Sequence, residues 1–179
     1  MAELAPPMVW AYRGLFVLLA ALVLFLRLLP LGNLAGDWPG PNILLCLAFA
    51  WVLRRPDYVP ALLIALIFLL EDMLVMRPPG LWTAIVVVAT EFLRSRAALA
   101  RSVPFMVEWL MVAGVMAATV IGYRLAVTIA MLPQVSLAQS LLQLAITILC
   151  YPVVVLVSQL AFGVRKPATG EVDAYGRRI

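Results

Sequence analysis

Long apolar runs make up most of this chain, and short charged or proline-containing segments separate them. A helix needs about 20 apolar residues to cross a bilayer, so runs of this length predict membrane-spanning helices. Six spans are predicted, at about residues 9–30, 40–53, 58–76, 80–94, 107–130 and 137–162. The second span is the weakest, because its purely apolar part would extend only about 17 Å as a helix. We expect it to be short, tilted or partly re-entrant.

The composition agrees with a membrane protein. Of the 179 residues, 65% are hydrophobic and 12% are charged, whereas ordinary soluble domains are about 45–50% apolar. We therefore predict an all-α integral membrane protein, a six-transmembrane-helix bundle that forms a single domain over residues 1–166. Residues 167–179 lose the apolar character, so we expect a flexible cytoplasmic tail there.

Several kinds of chemistry are excluded by residue type. The chain contains no histidine, which excludes Ser-His-Asp and Cys-His catalysis and histidine zinc sites within it. Its two cysteines, Cys46 and Cys150, lie inside apolar runs, where a small hydrophobic role is expected. We predict no enzyme activity, no catalytic or metal-binding residue and no cofactor. The basic residues lie between apolar runs, so nucleic acid is not an expected partner.

The same basic residues predict the orientation. If the N-terminus is cytoplasmic, ten of the thirteen lysines and arginines fall on the cytoplasmic side of six crossings. They are Arg13, Arg54, Arg55, Arg94, Arg96, Arg101, Arg165, Lys166, Arg177 and Arg178. Since cytoplasmic segments carry an excess of positive charge, both termini are expected in the cytoplasm.

Charged residues inside the spans are the main candidate site. Glu71 and Asp72 lie near the end of the third span, and Arg27, Arg77 and Arg124 fall at a similar depth. A lone charge at the bilayer centre costs at least about 2.5–3.5 kcal/mol, so we expect Arg124 or Arg27, with Arg77 nearer the surface, to neutralise the acid pair. The cluster could be an internal ion-pair network, a contact for a partner protein, or a transport or proton-relay site.

Small residues along the fifth span are candidates for close helix packing. Gly114, Ala118 and Gly122 recur at every fourth position and so share one helix face. Such a face can pack inside the bundle or against the transmembrane helix of a partner. Internal packing is the simpler expectation.

The segment WVLRRPDYVPALLIALIFLLEDMLVMRPPGLWTAIVVVATEFLRSR, residues 51–96, resembles the central region of the rod shape-determining protein MreD family. In that family an apolar helix ends in an acidic residue, and a short apolar stretch and a turn then lead into the next helix. The corresponding positions here are Asp72, residues 73–76, and the turn at Pro79 and Gly80. The segment WPGPNILLCLAFAWVLRRPDYVP, which begins earlier and overlaps this region, is similar to the proteobacterial branch of the family.

The resemblance implies a non-enzymatic scaffold of the cell-elongation machinery in the bacterial inner membrane. Its expected partner is the bitopic protein MreC, and through it MreB, RodZ, a glycosyltransferase and a transpeptidase of lateral peptidoglycan synthesis. The implied fold is similar to the substrate-binding subunits of energy-coupling-factor transporters. The alternative function is therefore a solute-binding subunit of such a transporter, which would need a polar pocket. Neutral polar candidates for that pocket are Gln134, Ser136, Gln139 and Ser140.

Overall fold

The computed structural model describes residues 7–29 and 39–162, and these residues form helices without any strand. The helices are α1 (Pro7–Leu28), α2 (Ile43–Arg54), α3 (Ala61–Leu74), α4 (Leu81–Ser102), α5 (Phe105–Ile129) and α6 (Leu137–Phe162). A short 3-10 turn, Pro56–Tyr58, joins α2 to α3. The predicted tail, 167–179, lies outside the described residues.

Three of these helices are long and apolar enough to cross a membrane. They are Met8–Leu28, Phe105–Ile129 and Leu137–Phe162. Among the described residues, Ile43–Arg54 is a further, shorter apolar helix. The length and composition of these helices indicate a membrane protein, and its regular structure over residues 7–29 and 39–162 is entirely helical.

The short helix α2 forms the centre of the bundle. Every residue from Leu44 to Arg54 is buried, and the helix packs against α4, α6 and α1. A helix that is apolar on all sides is expected to be buried, and enclosure by longer helices removes the need for α2 to match the bilayer thickness. The helix ends before Pro56 because a residue that precedes proline disfavours the helical conformation.

The charged segment after the predicted fourth span remains helical. Helix α4 continues to Ser102, eight residues beyond the predicted end at residue 94. Arginine and alanine are good helix formers, so the charges alone do not end the helix. It ends where Val103, the residue before Pro104, adopts an extended conformation.

Contacts between helices show that successive helices run in opposite directions, which gives the bundle two ends. At the α2–α3 end, Arg13 of α1 donates a hydrogen bond to the backbone oxygen of Asp57 (3.2 Å). Arg94 of α4 donates to the backbone oxygens of Pro56 (2.9 Å) and Val59 (2.7 Å). The sequence predicts only a topological role for these two arginines. In the structure their hydrogen bonds hold the 3-10 turn against α1 and α4. The opposite α3–α4 end contains the predicted charged cluster.

Candidate functional site

Glu71 is the centre of one charged group at the α3–α4 end. Its side chain is fully buried on α3, and Oε1 accepts a hydrogen bond from Arg27 of α1. Arg77, which follows α3, lies 3.8 Å from the same oxygen. The structure thus brings together three of the five charged residues that the sequence singles out.

Asp72 points away from this group and binds the start of α4. Adjacent residues on a helix project about 100° apart, so Asp72 faces the following helix. Its Oδ2 accepts hydrogen bonds from the backbone N–H groups of Gly80 and Thr83 (both 3.1 Å) and from the Thr83 hydroxyl (2.8 Å). The first N–H groups of a helix have no partner within the helix and attract negative charge. Asp72 is therefore a helix cap supplied by the preceding helix.

The turn between α3 and α4 explains the Pro-Gly sequence beside Asp72. Gly80 has φ of +85°, a left-handed conformation that glycine adopts without strain. This conformation directs the Gly80 N–H towards Asp72 immediately before Leu81 begins α4. Pro79 and Gly80 thus form the connection that Asp72 holds in place.

The sequence offers Arg124 or Arg27 as the partner of the acid pair, and in the structure Arg27 pairs with Glu71. Arg124 pairs with neither carboxylate. One of its amino groups donates to the Val135 backbone oxygen (3.1 Å) and to Ser140 Oγ (2.8 Å). Within the described ranges, no carboxylate lies within 4 Å of it. The reason is direction around the helix: Arg124 faces the connection between α5 and α6, whereas Asp72 faces α4.

The three arginines nevertheless line one cavity. Its volume is about 770 Å³. Polar lining groups include Asn42, Gln139, Ser140, Gln143 and Thr147, and the wall also contains Leu45, Trp82, Val120, Tyr123 and Leu144. We call this space the arginine cavity, defined by Arg27, Arg77 and Arg124. Three of the four neutral polar residues proposed from the sequence, Gln134, Gln139 and Ser140, line it.

A second charged group, which the sequence analysis missed, lies near the α2–α3 end. Arg54 of α2 donates to Glu108 Oε1 of α5 at 2.8 Å, and the Tyr151 hydroxyl of α6 donates to the same oxygen at 3.1 Å. The side chains of Arg54 and Glu108 are 1% and 0% exposed. The positive-inside rule predicts that Arg54 lies in a loop, and this prediction is wrong because Arg54 is the last residue of α2. The sequence does contain one sign of this group, because Glu108 is a lone carboxylate within the apolar run FMVEWLM.

The small residues of α5 do not all face the same surroundings. Gly114 and Ala118 are exposed on the outer surface of the bundle, and a Cβ atom added to Gly114 would meet nothing within 4 Å. At Gly122 an added Cβ would lie 3.8 Å from Ile85 of α4. Internal packing, the simpler expectation, therefore fits only Gly122. We call Gly114 and Ala118 the α5 notch.

The chemistry available here is charge pairing and ligand binding. The described part of the chain holds no group of three or more acidic or cysteine side chains placed to bind a metal ion. Comparison with protein-family models, with curated proteins and with solved structures finds no match to this chain. The charged groups, the arginine cavity and the α5 notch are therefore the features that indicate a function.

Removal of Arg27 should destabilise the protein through Glu71. The substitution Arg27→Met leaves a buried carboxylate with only the more distant Arg77, so we expect a loss of about 2 kcal/mol, less than for a fully buried pair because Arg27 is partly exposed. Thermal unfolding of the purified protein in detergent measures this loss. The control Arg96→Met changes an exposed arginine that lies over Phe92. Equal effects at the two positions would contradict the pairing.

Proposed function

We propose that this chain is a membrane scaffold of the MreD type, which binds MreC in the bacterial inner membrane and supports lateral peptidoglycan synthesis and rod cell shape. MreB, RodZ, the elongation glycosyltransferase and the transpeptidase would then be indirect partners. The protein positions other proteins by helix packing and carries out no reaction itself.

The proposed arrangement has six crossings and both termini in the cytoplasm. Three long apolar helices support membrane insertion, and the alternating direction of successive helices is compatible with α2, α3 and α4 crossing as well. The α3–α4 end would then face the periplasm. A six-helix fold of the kind found in substrate-binding subunits of energy-coupling-factor transporters fits this arrangement.

The observation that carries the proposal is the outward orientation of the α5 notch. Small residues let two helix backbones approach closely in a membrane, where dispersion contacts and not the hydrophobic effect drive association. Large exposed side chains lie on the same helix face at both ends of the notch, with Leu110 63% exposed one turn before Gly114 and Ile121 58% exposed about one turn after Ala118. This shallow groove across the helix, between two large apolar side chains, is suited to a crossing transmembrane helix of a single-span partner such as MreC.

The residues that resemble MreD also form one structural unit, which supports the same proposal. Asp72, Gly80 and Thr83 join α3 to α4 through three hydrogen bonds. An acidic residue before a Pro-Gly turn thus has a physical role here, because it caps the helix that follows the turn.

Filling the notch tests the proposal. Ala118→Leu places a large side chain where the partner helix would approach, so recovery of MreC with the tagged chain should fall at least about fivefold, which corresponds to about 1 kcal/mol of binding free energy. The matched control is Ala21→Leu, which changes an exposed alanine on α1. Both variants should accumulate in the membrane to the same level. Equal recovery of MreC from both would contradict the proposed groove.

The arginine cavity favours a second candidate function, a solute-binding subunit of an energy-coupling-factor-type transporter. A cavity of about 770 Å³ lies within the roughly 300–1,000 Å³ range of small-ligand pockets. Purification in mild detergent separates the two functions. Recovery of transporter ATPases and a permease without MreC would favour the transporter.

A further inference from the structure

The arginine cavity carries an excess of positive charge. Three guanidinium groups line it, and its lining among the described residues contains no carboxylate. Of the nearby carboxylates, Glu71 pairs with Arg27, and Asp72 accepts hydrogen bonds from the start of α4. Because unpaired charge in a low-dielectric protein is unfavourable, a negatively charged ligand would stabilise this end of the bundle.

Two lining groups have donor capacity that the described residues do not use. Arg124 makes both of its hydrogen bonds through one amino group, so its Nε and second amino group remain available. The indole N–H of Trp82 is buried and has no acceptor within the described part of the chain. The Arg77 guanidinium lies 5.3 Å from the centre of the Trp82 ring, so Arg77 and the Trp82 indole lie on neighbouring parts of the wall.

The remainder of the wall indicates an organic anion and not an inorganic ion alone. The lining contains amide and hydroxyl groups together with apolar and aromatic side chains, as in pockets where a few polar groups orient a mainly apolar ligand. A single phosphate or carboxylate group would fill only a small part of about 770 Å³. The ligand should therefore have a larger organic part as well as a charged group.

A neighbouring slot offers space for an apolar part of that ligand. This second cavity has a volume of about 310 Å³ and shares Arg27, Asn42 and Gln143 with the arginine cavity. Its other lining side chains are mostly aliphatic: Val23, Leu24, Leu26, Ile43 and Leu44. The slot lies between α1 and the start of α2, next to the charged groups.

We infer that the arginine cavity binds an organic oxyanion, a molecule whose phosphate or carboxylate group contacts Arg27, Arg77 and Arg124 and whose apolar part enters the neighbouring slot. Guanidinium groups suit this role because their planar N–H groups match the oxygens of phosphate and carboxylate. The ligand is either an anionic membrane lipid or a water-soluble organic anion. The site does not depend on MreC, so it exists whether or not the proposed scaffold function is correct.

The test uses the purified full-length protein in phosphatidylcholine nanodiscs, without any partner. One arm adds phosphatidylglycerol and counts retained lipids by native mass spectrometry. The other arm adds glycerol phosphate or citrate and measures the shift in unfolding temperature. Retention of phosphatidylglycerol identifies a lipid site, and a shift with a soluble probe identifies a solute site; either supports the inference.

Variants connect the binding to the cavity. Arg124→Gln should weaken binding at least about tenfold, since a charged donor to the oxyanion is lost, and Arg124→Lys should restore part of it. Arg77→Gln provides an independent variant if Arg124→Gln does not elute as a single species. The exposed Arg96→Gln should bind like the unaltered protein. Absence of binding in both arms, or equal binding by the cavity variants and the Arg96 control, would overturn the inference.

Discussion

Replacing Glu108 by leucine should remove most of the folded protein. The substitution leaves Arg54 charged and buried, and breaking one partner of a buried ion pair costs about 3–5 kcal/mol. The total stability of a folded domain is about 5–15 kcal/mol, so a loss of this size affects a large part of it. Fluorescence-detected gel filtration of membranes in mild detergent should show a smaller monodisperse peak.

Replacing both members of the pair provides the internal control. The double substitution Arg54→Met with Glu108→Leu removes both charges and fills the space with apolar side chains, which is often close to neutral. It should recover much of the folded peak. A matched exposed control is Glu91→Leu, because Glu91 pairs with Arg94 while 46% exposed and such pairs contribute about 0–1 kcal/mol. A double variant as damaged as the sum of the two single variants would contradict the pairing.

Replacing Asp72 by alanine should produce the second largest loss, about 3 kcal/mol. Three hydrogen bonds from Gly80 and Thr83 converge on one carboxylate oxygen, and each bond to a charged group contributes about 1.5–3 kcal/mol without simple additivity. Asp72→Asn keeps an oxygen acceptor and should lose less. Thermal unfolding in detergent measures both variants, and an alanine variant no less stable than the asparagine variant would exclude the capping role.

Substitutions at Asp72 and Arg124 should act independently. The two side chains have separate hydrogen-bond partners, and effects at sites without shared partners usually add within about 0.5 kcal/mol. Asp72→Ala combined with Arg124→Gln should therefore be as destabilising as the sum of the single changes. Rescue of one substitution by the other would instead indicate a direct ion pair.

The sequence predicts the depth of a charge in the bundle better than its partner. Position along an apolar run places Glu71, Arg27 and Arg124 near one end, and all three lie there. Partner choice depends on the direction in which each side chain leaves its helix, and one residue changes that direction by about 100°. Glu71 and Asp72 are adjacent, yet one binds arginine and the other binds the start of α4.

The burial of α2 explains why the positive-inside rule gives the wrong position for its terminal arginine, Arg54. The positive-inside rule assigns arginines near span ends to aqueous loops, and Arg54 follows an apolar run as such an arginine would. Because α2 is enclosed by longer helices, its C-terminal turn remains inside the protein, where Arg54 meets Glu108 of α5. The sequence indicates that α2 is short, but enclosure is a property of the assembled bundle.

Photo-cross-linking from the border of the α5 notch tests the scaffold function most directly. A photoreactive amino acid at Leu110, 63% exposed beside the notch, should form an adduct in living cells with MreC, identified by mass spectrometry; the same group at Leu18 on α1, 66% exposed, should not. Adducts with a transporter permease or ATPase in place of MreC, or adducts with MreC from both positions alike, would contradict a partner helix in the α5 notch.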